Sequence, residues 1–144
     1  MANIFLAEDD KFWLEEVDEM LEKAGHRIVG TAITIEDSLE MIPNFEALDV
    51  QVVVHDGNLG LTKHASDLNH DVRQFQRALQ KSGYNVGLVV FSNDDEIPQK
   101  IDGIDAFVDK SGGSVQNRLR DGVNIANKAR EERLRVARGP EFEV

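Results

Sequence analysis

Five short segments of the chain are rich in apolar and β-branched residues, and each is followed by polar residues. They span residues 3–7, 27–32, 50–55, 86–91 and 105–108. The third is the most informative, because valine fills four of the five positions from Val50 to Val54. A continuous run of this kind, without alternation of polar residues, is typical of a strand buried on both faces in a parallel sheet. We therefore predict five parallel strands.

Segments with helical spacing alternate with these strands. Apolar residues recur at helical intervals over residues 12–24, 34–42, 68–82 and 114–138. Residues 97–102 are the only segment available for a helix between the last two strands, and they would form little more than one turn. Thr34 suits an N-cap, and Gly25 and Pro43 suit helix ends. The segment 61–70 is polar and has no periodicity, so it predicts a long loop, and such loops are more often functional than neutral.

Alternating strands and helices predict an α/β domain with a doubly wound, five-stranded parallel sheet. Right-handed crossovers leave few strand orders for such a sheet, and we predict 2-1-3-4-5, the commonest order for five strands. A chain of 144 residues is long enough for one domain with a hydrophobic core.

Charge is distributed unevenly along the chain, whose net charge is −11. Residues 1–113 have 22 acidic and 9 basic side chains, a net charge of −13, whereas residues 114–138 have 3 acidic and 7 basic ones, a net charge of +4. The acidic body disfavours direct binding to nucleic acid. The arginines of the last turns predict either a solvated face or a surface for an acidic partner.

The absence of cysteine excludes disulfides and thiolate metal sites, and no signal peptide or membrane-spanning stretch is visible. We therefore expect no membrane association and a cytoplasmic location.

Four predicted strands are followed by side chains suited to phosphoryl chemistry: Glu8, Asp9, Asp56, Ser92 and Lys110. The carboxyl ends of parallel strands meet at the edge where open α/β sheets bind ligands. Several carboxylates gathered there repel one another unless a cation lies among them, and oxygen ligands suit Mg²⁺. An aspartate beside such an ion can attack phosphorus, with lysine and serine contacting the phosphoryl oxygens.

This order of an acidic pair, an aspartate, a serine and a Phe-x-x-Lys motif resembles the receiver domain of two-component response regulators, the CheY-like superfamily. The resemblance covers residues 3 to about 125 and implies a flavodoxin-like three-layer sandwich. It implies that Asp56 accepts a phosphoryl group from a histidine kinase or phosphotransfer protein in a phosphorelay. Mg²⁺ would be bound by Glu8, Asp9, Asp56 and the main-chain carbonyl of Asn58. Lys110 and Ser92 would contact the phosphate.

The resemblance also implies roles for neighbouring residues. Ser92 and Phe107 would form a switch pair, although Phe107 would look the same in sequence if it were only a core residue. Asn58 and Asp94 would influence how long the phosphate survives.

The resemblance divides the chain into a receiver domain, residues 1–125, and an extension of the last helix with a C-terminal tail, residues 126–144. Signalling would go through contacts with a downstream protein, and the extension is a candidate surface for a partner or a homodimer. No dedicated substrate turnover is expected beyond phosphorylation of Asp56 and its reversal.

Several positions depart from the family pattern. Gly60 and Ser111 lie where prolines are usual, His55 precedes the acceptor in place of an aliphatic residue, the loop over 60–70 is expanded and the fourth helix is short. We interpret His55 as a buried, hydrogen-bonded histidine, with pH sensing as the alternative.

Two other functions compete with phosphoryl acceptance. The altered loops would also suit a receiver-like interaction module that does not use phosphate. A phosphatase of the haloacid dehalogenase type also uses a strand-end aspartate, but it requires a second aspartate two residues later, where this chain has Asn58.

Overall fold

The computed structural model describes residues 1–57, 59, 70–93 and 103–138 of the chain. Within these residues one parallel sheet has the strand order β2-β1-β3-β4-β5. The strands are β1 Asn3–Ala7, β2 Arg27–Ala32, β3 Val52–His55, β4 Gly87–Ser92 and β5 Ala106–Asp109. The predicted fold class and strand order are confirmed. The third strand begins two residues later than predicted, and the fourth and fifth are displaced by one residue.

The helices of the described residues lie on both faces of the sheet. They are α1 Lys11–Lys23, α2 Ile35–Met41, α3 Phe45–Leu48, α4 His70–Ser82 and α5 Val115–Arg138, and a 3₁₀ turn over Ile42–Asn44 precedes α3. Buried residues of α1 and α5 pack on one face of the sheet, whereas those of α3 and α4 pack on the other. The result is the predicted three-layer sandwich.

Alternation along the strands divides the core into two layers. Ile4 and Leu6 of β1 face the layer that contains Val17 of α1 and Leu119 of α5. Phe5 of the same strand faces the opposite layer, which contains Phe45 and Phe75. Because successive side chains of a strand point to opposite faces, a strand that is apolar throughout contributes to both layers.

Two predicted helix ends have identifiable causes. The Thr34 hydroxyl accepts from the Asp37 amide at 3.1 Å, so Thr34 is the N-cap of α2 as predicted. Pro43 ends α2 but lies inside the 3₁₀ turn, and the chain then forms the short helix α3, which the sequence did not predict. Asp49 ends α3 with a left-handed φ of 53°.

The second half of α5 is attached to the amino-terminal edge of the sheet. Arg133 Nη1 lies 2.7 Å from Asp105 Oδ1, and its Nη2 donates to the Val86 carbonyl at 2.8 Å. Arg130 donates to the Asn85 carbonyl at 3.2 Å. These two arginines therefore differ from the predicted solvated face or partner surface, because groups of their own chain bind them.

Some predictions concern residues outside the described part of the chain. These are Asn58, Gly60, Asp94, the loop up to residue 69, the short helix over 97–102 and the tail from residue 139. The division at residue 125 falls inside the continuous helix α5 and stays a prediction. None of the helices in the described ranges combines the length and hydropathy needed to cross a bilayer.

The contact between β4 and α5 generates a stability prediction. A Cβ added at Gly87 would lie 2.6 Å from the carbonyl carbon of Ala126 and would also collide with its carbonyl oxygen, so the helix would have to move. We expect Gly87→Ala to lower the free energy of unfolding by about 2 kcal/mol, the usual cost of overpacking. Urea denaturation followed by circular dichroism measures this change.

Gly113→Ala is the matched control, because no atom lies within 4 Å of its added Cβ. Its free energy of unfolding should change by less than ~0.5 kcal/mol. Equal stability of Gly87→Ala and the native protein would contradict the close helix–strand contact.

Candidate functional site

The register of the sheet brings the ends of β1, β3, β4 and β5 to one edge. Ala7 pairs with His55, and the Asp56 amide donates to the Ala7 carbonyl at 2.9 Å. Further along the same edge, between β4 and β5, the Lys110 amide donates to the Ser92 carbonyl at 3.1 Å. The polar residues that follow these strands are therefore fixed by main-chain hydrogen bonds to a neighbouring strand.

Three carboxylates form a cluster at this edge. Glu8, Asp9 and Asp56 each offer an oxygen, and these three oxygens lie within 4.8 Å of one another. Glu8 is only 1% exposed and Asp56 only 6%, whereas Asp9 is half-buried. Asp10, the next acidic residue, is not part of the cluster, because its side chain accepts from the Phe12 amide at 2.9 Å as the N-cap of α1.

Lys110 supplies the positive charge of the cluster. Its ammonium lies 2.7 Å from Glu8 Oε1 and donates to Asp56 Oδ2 at 3.2 Å, and the side chain is 7% exposed. Burial alone would lower the pKa of Lys110, but the negative charges of Asp56 and Glu8 outweigh it and raise that pKa. The ammonium is therefore held in its charged form between two buried carboxyl groups.

Burial, and next the negative charge of Asp56, raise the pKa of Glu8 to about 8. The contact with the Lys110 ammonium, 2.7 Å from Glu8 Oε1, opposes this shift. A buried carboxyl group beside two further carboxylates suits a divalent cation. Glu8, Asp9 and Asp56 are thus the residues that could hold Mg²⁺.

Two aromatic rings lie next to the ammonium. Lys110 Nζ is 5.4 Å from the centroid of Phe91 and 6.0 Å from that of Trp13, distances at which a cation is attracted to the face of a ring. The rings of Trp13 and Phe91 meet edge to face at 5.3 Å. Trp13, the only tryptophan of the chain, therefore lies close to the charged cluster.

His55 is fully buried behind the acceptor. Its Nδ1 lies 2.6 Å from the Asp56 carbonyl, which can only accept, so Nδ1 carries the proton and Nε2 accepts from the Ser38 hydroxyl at 3.1 Å. Burial lowers the pKa of His55 despite the opposing hydrogen bond to Asp56. The histidine is thus neutral and hydrogen-bonded through both ring nitrogens, which agrees with the interpretation from sequence.

The loop that carries Lys110 is held by Arg118 of α5. Its guanidinium donates to the carbonyls of Asp109 at 2.6 Å, Ser111 at 2.9 Å and Gly113 at 3.1 Å. The Ser111 amide and hydroxyl also donate to the Asp109 carboxylate, and these hydrogen bonds lower the pKa of Asp109. Ser111 therefore makes contacts that a proline at this position could not make.

The proposed switch residues have different positions. Ser92 is buried at the end of β4 and pairs with Asp109. Phe107 is half-buried and packs with Val72 and Val90 on the face that α4 covers. A half-buried ring is compatible with a switch and with a core residue, so both interpretations of Phe107 stay open.

Sequence reasoning did not identify Arg118 and Asp71 as residues that shape the site. The Asp71 carboxylate accepts from the Leu59 amide at 2.6 Å, close to Asp56. Nothing in a single sequence distinguishes either residue from an ordinary charged residue near the start of a helix. The contacts of Asp71 and Arg118 with the loops depend on where α4 and α5 begin relative to the carboxyl ends of β3 and β5.

No protein-family model matches this chain, and no curated protein sequence does. Solved structures do. A response regulator receiver domain protein from Clostridium thermocellum is similar with a TM-score of 0.70 and 16% identity, over 91% of this chain and 98% of that one. The N-terminal domain of a response regulator/sensory box/GGDEF 3-domain protein from Carboxydothermus hydrogenoformans has a TM-score of 0.71 and 20% identity, over 92% and 98%.

A response regulator receiver protein from Sinorhizobium medicae is also similar, with a TM-score of 0.68 and 20% identity, over 90% of this chain and 96% of that one. These likenesses extend over nearly the whole chain. Together with the strand order, they mean that the chain has the receiver-domain fold of response regulators, the CheY-like form of the flavodoxin-like fold.

Proposed function

We propose that the chain is a phosphoryl-accepting receiver domain in which Asp56 is the acceptor. The observation that supports this most directly is the position of the Lys110 ammonium, 3.2 Å from Asp56 and 2.7 Å from Glu8, beside the half-buried carboxylate of Asp9. Lysine and carboxylates in this arrangement combine a nucleophile, a positive point charge and oxygen ligands for a cation.

The three carboxylates and the main-chain carbonyl of Asn58 are the proposed ligands of Mg²⁺, which when bound would neutralise negative charge on the phosphoryl oxygens. Glu8 would lose its proton to serve as a ligand, because a carboxyl group binds a metal in its ionised form. The gathering of three carboxylates, two of them almost fully buried, is the feature of this chain that best supports a cation site.

In the proposed reaction an Asp56 carboxylate oxygen attacks phosphorus while the bond from phosphorus to the donor breaks. With a phosphohistidine donor, the bond broken is phosphorus to nitrogen, and the imidazole keeps the electron pair. The chain's own contribution is to position Asp56 and to place the Lys110 charge beside the oxygens that become more negative. Ser92 would donate its hydroxyl to the same phosphoryl group.

The donor is proposed to be a histidine kinase or a phosphotransfer protein, and the output a contact with a downstream protein. Ser92 and Phe107 are the proposed switch, and Asn58 and Asp94 would act on the phosphate lifetime. The exposed part of α5, including Val136, is a proposed surface for a partner or a second copy.

The first prediction from the proposed function concerns covalent modification. Acetyl phosphate with Mg²⁺ should add one phosphoryl group to the intact protein, and Asp56→Asn should abolish this because an amide is not the required nucleophile. Intact-protein mass spectrometry measures the adduct, and beryllofluoride binding provides a second measurement. Asp121→Asn, a change of an exposed aspartate on α5, is the matched control and should leave the adduct unchanged.

Absence of a Mg²⁺-dependent adduct in the native protein would reject phosphoryl acceptance and favour the receiver-like module that does not use phosphate. An adduct that persists in Asp56→Asn would show that another residue is the acceptor. Steady turnover of a phosphomonoester would instead favour a phosphatase.

The second prediction concerns the metal site. Mg²⁺ should change the fluorescence of Trp13, because a new cation among the carboxylates alters the field around Lys110, whose ammonium is 6.0 Å from the indole ring. Asp9→Asn should raise the Mg²⁺ concentration at half-saturation by about tenfold or more, since it removes a charged ligand. Asp37→Asn, at an exposed aspartate in the first turn of α2, should leave it unchanged.

The third prediction follows from the raised pKa of Glu8 in the metal-free protein. Folded Glu8 binds its proton more tightly than unfolded Glu8, whose pKa is near 4.5. The stability that this proton contributes is therefore complete below the unfolded pKa and is lost as the pH rises through about 8. In Glu8→Gln the side chain is neutral throughout, so this loss should disappear.

Urea denaturation in the presence of EDTA, from a pH of about 5 to about 8.5, tests this linkage. The variant should gain stability relative to the native protein as the pH rises. Parallel stability curves for the two proteins would mean that Glu8 ionises as it does in the unfolded chain.

A further inference from the structure

Two buried hydrogen bonds connect α2 to the main chain of the acceptor. The Ser38 hydroxyl donates to His55 Nε2 at 3.1 Å, and His55 Nδ1 donates to the Asp56 carbonyl at 2.6 Å. The side chains of Ser38 and His55 are both inaccessible to solvent. Because a buried polar group is costly unless it is paired, these hydrogen bonds restrict the ring of His55 to one position.

The Asp56 carbonyl lies just beyond the paired part of β3. The last paired residue is His55, which is opposite Ala7 of β1 and Val90 of β4. The Asp56 amide still donates to the Ala7 carbonyl at 2.9 Å, whereas the Asp56 carbonyl accepts from the ring of the preceding residue. The imidazole thus holds a main-chain group that follows the end of the strand.

The main-chain conformation of Asp56 determines where its carboxylate points. A residue has only two soft main-chain dihedrals, and hydrogen bonds to both the amide and the carbonyl of Asp56 restrict them. The direction of the Cα–Cβ bond follows from this conformation. It places the carboxylate 3.2 Å from the Lys110 ammonium and in the cluster with Glu8 and Asp9.

The ring of His55 is held by two helices. Ser38 lies near the start of α2, where its amide donates to the carbonyl of the N-cap Thr34 at 3.0 Å. On α4, the Phe75 ring lies 4.6 Å from the His55 ring, measured between centroids. An aliphatic residue at position 55 could pack against Phe75, but it could not donate to the Asp56 carbonyl. The histidine therefore adds a restraint that packing alone does not supply.

We propose that His55 and Ser38 are positioning residues for the Asp56 carboxylate: Ser38 orients the ring of His55, and the ring holds the Asp56 carbonyl so that the carboxylate faces Lys110. This inference rests on the proposed function. Neither side chain contacts the phosphoryl group or transfers a proton in this role. Both act only through the main chain of Asp56.

The test uses His55→Asn and His55→Gln, which separate the two hydrogen bonds. The amide nitrogen of Asn takes the position of Nδ1 and can donate to the Asp56 carbonyl, whereas the terminal amide of Gln takes the position of Nε2 and pairs with Ser38. Ser38→Ala removes one buried hydroxyl, and it keeps the test decisive if a His55 variant does not fold. Val53→Ala is the matched control for lost buried volume, because Val53 lies on the same face of β3 as His55.

Three quantities are measured on the full chain: the rate of adduct formation from acetyl phosphate at saturating Mg²⁺, the free energy of unfolding, and the distance from Asp56 Oδ2 to Lys110 Nζ in metal-free crystals. His55→Gln should lower the rate about tenfold, since a misplaced nucleophile loses its alignment. Ser38→Ala should lower it several-fold, and His55→Asn should keep most of the native rate. Val53→Ala should lose stability without a change in rate. In His55→Gln the distance of 3.2 Å should lengthen beyond hydrogen-bond range.

Equal rates in His55→Asn and His55→Gln would overturn the proposal, because the hydrogen bond to the Asp56 carbonyl would then have no effect of its own. A native rate in Ser38→Ala would also overturn it, and so would a rate in Val53→Ala as low as that in His55→Gln. If the native protein forms no adduct, the proposed function fails, whereas the Asp56–Lys110 distance in His55→Gln still decides the positioning role.

Discussion

The buried charges of Glu8, Asp56 and Lys110 are the constraint around which the carboxyl edge of the sheet is arranged. Two carboxyl groups that are almost inaccessible to solvent would repel each other if both were ionised without a cation. The Lys110 ammonium lies within 3.2 Å of both, and Glu8 holds a proton near neutral pH because its pKa is about 8. The metal-free cluster is thus balanced by one lysine and one proton.

This balance suits the exchange of partners that the proposed function requires. A buried ion pair made only for stability gains little over apolar packing, because desolvation offsets much of the attraction. Here the proton on Glu8 and the contacts of Lys110 with two carboxyl groups can each be exchanged for other partners. Such an exchange agrees with the proposed cation site.

The fold and the ends of the strands were predictable from sequence, because both depend on local pattern. Runs such as Val52–Val54 indicate buried parallel strands, and the polar residue that ends each run is then assigned to one edge of the sheet. The alternation of elements and the handedness of crossovers leave few strand orders, and the observed order β2-β1-β3-β4-β5 is the commonest of them for five strands. This places Glu8 and Lys110 at one edge without any knowledge of side-chain contacts.

Contacts between elements were not predictable in the same way. The sequence did not indicate that Lys110 would approach Glu8 more closely than Asp56, because that depends on side-chain packing against Phe91 and Trp13. The short helix α3 was missed because Pro43 was interpreted only as an end signal. The attachment of Arg133 to Asp105 was missed because the predicted helix has no feature that distinguishes its sheet-facing arginine from the others.

A charged side chain near the start of the following helix binds the main chain of each loop that carries the acceptor or the lysine. The charge is negative at the first loop and positive at the second. After β3, Asp71 near the start of the following helix α4 accepts from a loop amide, and after β5, Arg118 near the start of α5 donates to loop carbonyls. A strand fixes only the residue at its own end, so the polar groups beyond that end require other partners. In this chain a charged side chain near the start of the next helix provides them at both loops. A displacement of α4 would therefore act on the loop after Asp56, and a displacement of α5 on the loop that carries Lys110.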